Sequence, residues 1–263
     1  MRQPPCLARI VATAAVSAIL ATGLAGCQTA GMPDITGSLG ARAQARPDTD
    51  PYRTVQIDGE RYRANPKDAQ AALRYGQALR VTGQRAQAVA VLEQATLSHP
   101  GNKTLLAAYG RALADNGNFK LAFETLSHAH TPQNPDWRIL SVQGTVLDQM
   151  GRSAEARQYY ASALKIAPGE PSVLSNLGLS YVLTKELPQA EQALRQAYGS
   201  AKADARVRQN LALVIGLQGR FAEAESIVRA DLPPDQAAAN VAYLQQMLNG
   251  KGGGRDRSAS NHS

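Results

Sequence analysis

Residues 140–168 read LSVQGTVLDQMGRSAEARQYYASALKIAP, and this stretch decides the fold. Leu140, Gly144 and Leu147 fall at helical spacing, Gly151 interrupts, and Ala156, Tyr160 and Ala163 resume the spacing until Pro168 ends it. A pair of short helices joined by a glycine turn is the reading. The same marks recur outward at an interval of 34 residues: Gly76, Gly110, Gly144 and Gly178, with Ala212 next in line. A second series is Ala88, Ala122, Ala156, Ala190 and Ala224. A third is Gly83, Gly117, Gly151 and Gly219, with Lys185 as the exception in the fourth place. Pro100 and Pro168 lie two periods apart, and Pro135 falls one residue beyond the intermediate point. Three series in phase predict a tandem array of helix pairs, an all-α fold.

Close approach of helices explains the marks. Gly on the first helix and Ala on the second let two backbones come together, while Leu and Tyr fill the flanking grooves. Composition agrees, since 44% of the 263 residues are hydrophobic but only 5% are aromatic, which favours helices packed through alanine. The array is expected over residues 67–236 as five units. An apolar stripe at Ala238, Val241, Leu244 and Leu248 predicts a capping helix over 237–248, with Asp235 as its N-cap. Residues 249–263, with three glycines in a row at 252–254, are expected to be a disordered tail.

The unit resembles the tetratricopeptide repeat, whose first helix carries a Trp/Leu-Gly-Tyr pattern and whose second carries Ala-Phe-Ala-Pro. Tyr75-Gly76, Tyr109-Gly110 and Leu177-Gly178 with Tyr181 carry the first pattern, and Ala122, Ala156 with Tyr160, and Ala190 the second. The resemblance implies a right-handed superhelical solenoid. Four places depart from it: Gln143 stands at a normally apolar position, Lys202 stands where a proline is expected, and Arg208 and Asp231 do not fit the fifth unit.

The beginning of the chain carries a different message. Arg2 and Arg9 precede an apolar run from Ile10 to Leu20, too short to span a bilayer, so residues 1–26 read as a signal peptide. Leu24-Ala25-Gly26-Cys27 resembles the bacterial lipobox, which implies diacylglycerol on the Cys27 sulfur and, with Gln28 following, an outer-membrane destination in the cell envelope. Residues 27–66, rich in Gly, Pro, Asp and Arg, are expected to be a flexible tether of about 35 Å root-mean-square reach.

Chemistry is sparse. Cys6 and Cys27 are the only cysteines, so the folded array carries neither a disulfide framework nor a thiolate metal site. His99, His128, His130 and His262 have no metal-ligand spacing, and no nucleophile elbow, zinc-protease pair or phosphate loop occurs. No catalytic residue, metal site or cofactor is expected. The formal charge is +7, but residues 67–248 hold eighteen basic and fifteen acidic side chains, a dispersed excess that does not suggest nucleic acid.

What remains is the concave surface that this repeat family builds from its first helices. In the family register it carries Gln70, Gln77, Arg80, Arg111, Arg138, Asn176, Arg206 and Asn210. Asn176 and Asn210, one period apart, are expected to form a ladder for the backbone of an extended peptide. Arg111 and Arg138 suit a partner's carboxylates, although the Lys/Asn set of the chaperone-binding clamp is not reproduced. Further along, Leu179, Val182, Leu183, Leu213 and Leu217 turn the groove apolar and suit an amphipathic helix, unless the cap covers them. At the level of the whole chain, leader, Asp34-Ile35-Thr36-Gly37-Ser38 and repeats resemble the TadD family, lipoproteins of the tight-adherence (Flp type IVc) pilus machinery. That resemblance implies a membrane-anchored protein-interaction scaffold that assists secretin assembly. The alternative is a general envelope adaptor docking peptidoglycan hydrolases or proteases.

Overall fold

The computed structural model describes residues 50–259, so the leader, Cys27 and the start of the expected tether lie outside the described residues. Among the described residues twelve helices follow one another: α1 (Pro51–Ala64), α2 (Ala69–Val81), α3 (Arg85–Ser98), α4 (Lys103–Asp115), α5 (Phe119–His128), α6 (Trp137–Gln149), α7 (Ser153–Ile166), α8 (Pro171–Leu183), α9 (Leu187–Tyr198), α10 (Ala205–Leu217), α11 (Phe221–Val228) and α12 (Pro234–Ala259). Among the described residues the only extended pairing is a single bridge between Thr131 and Asn134. The chain is an all-helical tetratricopeptide-like solenoid, as the spacing predicts.

Five hairpins, α2/α3 through α10/α11, stack in sequence order. The first helices touch in succession from α2 through α4, α6, α8 and α10 to α12, while the second helices keep apart from one another. One face of the stack is therefore built from first helices alone. Each of α2, α4, α6, α8 and α10 begins on a capping side chain: Asp68, Asn102, Asp136, Glu170 and Asp204 accept backbone N–H bonds from Gln70, Thr104, Arg138, Ser172 and Val207. These caps form a fourth series at the same 34-residue interval. A cap of this kind is worth about 1 kcal/mol, since it satisfies donors that the helix itself leaves open.

The second helices start differently. Their N-cap positions make no side-chain cap bond; instead the backbone N–H of Gln84, Asn118, Arg152, Glu186 and Arg220 reaches back to the end of the preceding helix at 2.8–3.1 Å. The turn needs a left-handed residue just before, which glycine supplies at 83, 117, 151 and 219; Lys185 takes it at φ 64°.

Within each hairpin the glycine of the first helix meets the large residue sixteen places on. A Cβ on Gly76, Gly110, Gly144 or Gly178 would stand 2.6 Å from Leu92, Leu126, Tyr160 or Leu194 respectively. These four side chains are fully buried. The interval is filled wall to wall.

Three of the misfits are resolved in pairs. Gln143, 2% exposed, donates to Ser127 Oγ at 3.0 Å and accepts from His130 Nε2 at 3.2 Å. Arg208 donates to Asp231 through Nε at 2.7 Å and through a second nitrogen, and this bond holds the Asp231 carboxyl below its ordinary range. Buried Asp148 accepts from Tyr160 Oη at 2.9 Å and Ser180 Oγ at 2.8 Å, tying α6, α7 and α8 together. Burial, helped by the Asp148 charge, pushes the Tyr160 hydroxyl well above its usual pKa.

Two boundaries differ from expectation. Residues 51–64, expected in the tether, form α1, which Asp50 caps and Pro51 begins. Val55 and Tyr62 pack on the core, Tyr62 stacks on Tyr75 at 5.6 Å, and Gly59 lets the helix approach the Tyr75 ring. An end unit with an open apolar face gains by covering it, which is the physical reason for α1. At the other end α12 starts at Pro234 and runs on to Ala259, through the expected tail, so Asp235 sits in its first turn instead of capping it. Once a docked helix is nucleated, each further residue adds one backbone bond at little cost.

Candidate peptide-binding groove

The expected positions all lie on the first helices of the hairpins. Gln77, Arg111, Thr145, Leu179 and Leu213 occupy one row, each 34 residues after the last, on α2, α4, α6, α8 and α10. Gln70, Gln77 and Arg138 are exposed, whereas Arg111, Asn176, Arg206 and Asn210 are half-buried. The Arg138 guanidinium lies over the Trp137 ring, 4.4 Å from its centre.

The asparagines work partly within the array. Asn176 Nδ2 donates to Ser141 Oγ at 3.1 Å, and Asn210 Nδ2 donates to Ser175 Oγ at 2.8 Å, so each amide ties its helix to the preceding first helix. The amide carbonyls have no hydrogen bond among the described residues. A peptide would meet a preset acceptor at each rung, not a fully open amide.

At the far end, Leu179, Val182, Leu213 and Leu217 are half-buried and Leu183 is 54% exposed. Val182 packs on the cluster shared by α9 to α12. The cap reaches α10 closely, since a Cβ on Gly216 would stand 2.5 Å from Leu244. The cap covers this region in part, and a leucine edge stays open. Val81 on α2, 56% exposed and 102 residues before Leu183 in the same register, is an open apolar position that the sequence reading did not single out.

Near the start of the groove the residues are ionic. Arg80 Nε donates to Asp115 at 2.6 Å, with side chains 11% and 12% exposed, which ties α2 to α4. Arg111 stands beside this pair. Burial lowers its pKa, the charge of Arg80 lowers it further, Asp136 opposes this, and Arg138 and Asp115 act more weakly in opposite senses. Among the described residues no three His, Cys, Asp or Glu side chains are grouped to hold a metal ion, and no helix is long and apolar enough to cross a membrane.

Tetratricopeptide repeat profiles match residues 76–136, 122–171 and 141–206, and a second such profile matches 205–230; together they cover more than half of the chain. A thermophilic repeat protein of Thermus thermophilus is 22% identical with a TM-score of 0.60, over 68% of this chain and 99% of that one. A chain of the APC/C hetero-tetramer Cut9-Hcn1 is 14% identical, also with a TM-score of 0.60, over 76% of this chain. The match covers 39% of that longer chain, so the present chain spans about two fifths of its length. No curated protein matches the chain.

Proposed function

Because the chain belongs to the tetratricopeptide repeat family, whose members generally serve as non-enzymatic scaffolds for protein–protein interaction, we propose that it captures a partner polypeptide on the face lined by α2, α4, α6, α8 and α10. The observation that carries this reading is the row of half-buried and exposed apolar side chains at Leu179, Leu183, Leu213 and Leu217 on a face that the second helices do not cover. Apolar side chains left at an open face mark a place where a partner completes the burial.

The finer proposal is that this is an outer-membrane lipoprotein, held in the periplasm through Cys27, that assists secretin assembly in tight-adherence pilus biogenesis. The lipobox-like Leu24-Ala25-Gly26-Cys27 and the sequence resemblance support it. Acylation makes a durable anchor, at about 0.8 kcal/mol per buried methylene.

The test replaces Leu179 and Leu213 with Asp and reads crosslinked co-purification of a secretin from envelope membranes. Capture should fall while the helical circular dichroism stays the same. Undiminished capture would refute the groove reading. Cys27→Ala should in parallel abolish acyl labelling and release the protein from the membrane fraction; unchanged fractionation would remove the anchor from the proposal.

A further inference from the structure

Arg111 is the one charged side chain in its row, the other four places holding Gln77, Thr145, Leu179 and Leu213. It is half-buried on α4, between Arg80 of α2 and Arg138 of α6. Both acidic neighbours are committed elsewhere. Asp115 accepts from Arg80, and Asp136 accepts the Arg138 backbone N–H at 2.8 Å as the cap of α6. Arg111 itself makes no hydrogen bond or ion pair among the described residues. Burial has stripped this guanidinium of part of its water, and no carboxylate among the described residues is bonded to it. Such a charge is costly unless something pairs it.

We propose that the groove at α2, α4 and α6 receives an acidic side chain, Asp or Glu, of an extended partner segment, whose carboxylate takes the fork of Arg111. The inference rests on the groove reading above and adds the partner's chemistry. A planar guanidinium matches a single carboxylate through two parallel bonds. The row continues on both sides, to Gln77 and to Thr145, Leu179 and Leu213, so the segment passes through and presents a side chain at Arg111, not its chain end. The same segment then sets apolar residues against Leu179 and Leu213. The partner carries an acidic residue first and an apolar patch further along the groove.

The experiment uses the purified protein and fluorescein-labelled peptides of about twelve residues, about 40 Å when extended, enough to cross five inner helices at about 9 Å spacing. The peptides are blocked at both ends and carry Glu, Asp, Gln or Leu at each position in turn; a matched set has a free C-terminus. The expected result is a preference for Glu or Asp over Gln at one position by roughly ten- to a hundred-fold. That preference should weaken as salt rises and vanish in Arg111→Gln, while the preference for apolar residues elsewhere persists. Arg111→Lys, which keeps charge but loses the fork, should fall between. The melting temperature of Arg111→Gln should equal or exceed that of the wild type, because removing a desolvated charge without a partner costs the fold nothing.

Equal binding of Glu and Gln peptides would overturn the inference and leave the groove reading standing. Binding restricted to peptides with a free C-terminus would assign Arg111 a terminal carboxylate and overturn it as well. A lower melting temperature for Arg111→Gln would make the guanidinium a structural cation, against the proposal. Absence of binding by every peptide would refute the groove reading and this inference with it.

Discussion

Gly76→Ala should destabilise the wild-type protein and stabilise a Leu92→Ala variant. A Cβ at residue 76 would stand 2.6 Å from Leu92 Cγ and 2.8 Å from both of its δ carbons, and these are the three nearest atoms. Leu92 is fully buried, so it cannot swing aside. Overpacking of this kind costs roughly 1–3 kcal/mol. Alanine returns about 1 kcal/mol, because glycine is the poorer helix former. The net expectation is a loss of about 1 kcal/mol. Leu92→Ala alone costs about 2–5 kcal/mol through lost burial and a residual void. In that background the three opposing atoms are gone, so Gly76→Ala keeps its helix gain and fills part of the void, for about 1 kcal/mol of stabilisation. The coupling is then about 2 kcal/mol with a change of sign.

The assay is urea unfolding of all four proteins followed by far-UV circular dichroism. Equal slopes are required, because a repeat array can lose cooperativity and then has no single unfolding free energy. Effects of Gly76→Ala that agree in the two backgrounds to within about 0.5 kcal/mol would refute the argument that this pair sets the interhelix distance. The fifth unit already carries a matched change: Ala212 replaces the glycine, and the residue sixteen places on is the smaller Val228, both buried. Volume added to one helix is taken from the other.

Lys185→Gly should stabilise the protein by about 0.5–1 kcal/mol. It relieves roughly 1–2 kcal/mol of left-handed strain at φ 64° and loses part of that to the greater freedom of the unfolded chain; an unchanged melting temperature would show that the turn holds no strain. Glu191 should make stability depend on acid. Burial favours its neutral form, yet hydrogen bonds from Arg220 at 2.6 Å, Arg195 at 2.7 Å and Gln218 at 2.9 Å outweigh that and bring its pKa from 4.5 to about 2. A depressed carboxylate stabilises the fold above its unfolded pKa, and the gain is lost as pH falls from about 4.5 through 2. The full shift would correspond to about 3.4 kcal/mol, but Arg195 and Arg220 are 46% and 40% exposed, and solvent screening reduces the expectation to about 1 kcal/mol. Glu191→Gln should flatten the fall in melting temperature over that range, and an unaltered pH profile would count against the network.

The repeat was legible because helix contact restricts volume at the same place in every hairpin, so the glycine and alanine series survive as identities. The caps Asp68, Asn102, Asp136, Glu170 and Asp204 are just as periodic. They escaped because what repeats there is an oxygen acceptor, supplied by three residue types. Helix α1 escaped for another reason: Val55, Gly59 and Tyr62 make too short a stripe to signal a helix, and they acquire meaning only when the Tyr75 face exists to receive them. Long-range polar pairing is the least legible layer. Arg208 and Asp231 each read as a fault in the fifth unit, yet they correct one another across 23 residues. The groove follows the same logic. Spacing places Arg80, Arg111 and Arg138 on successive first helices as three similar cations. The bond from Arg80 to Asp115, 35 residues away, sets Arg80 apart, and the half-buried Arg111 is left without an ion pair among the described residues. What a partner would read in this groove is therefore the remainder after the fold has satisfied itself, a quantity set by contacts between units and not by any unit alone.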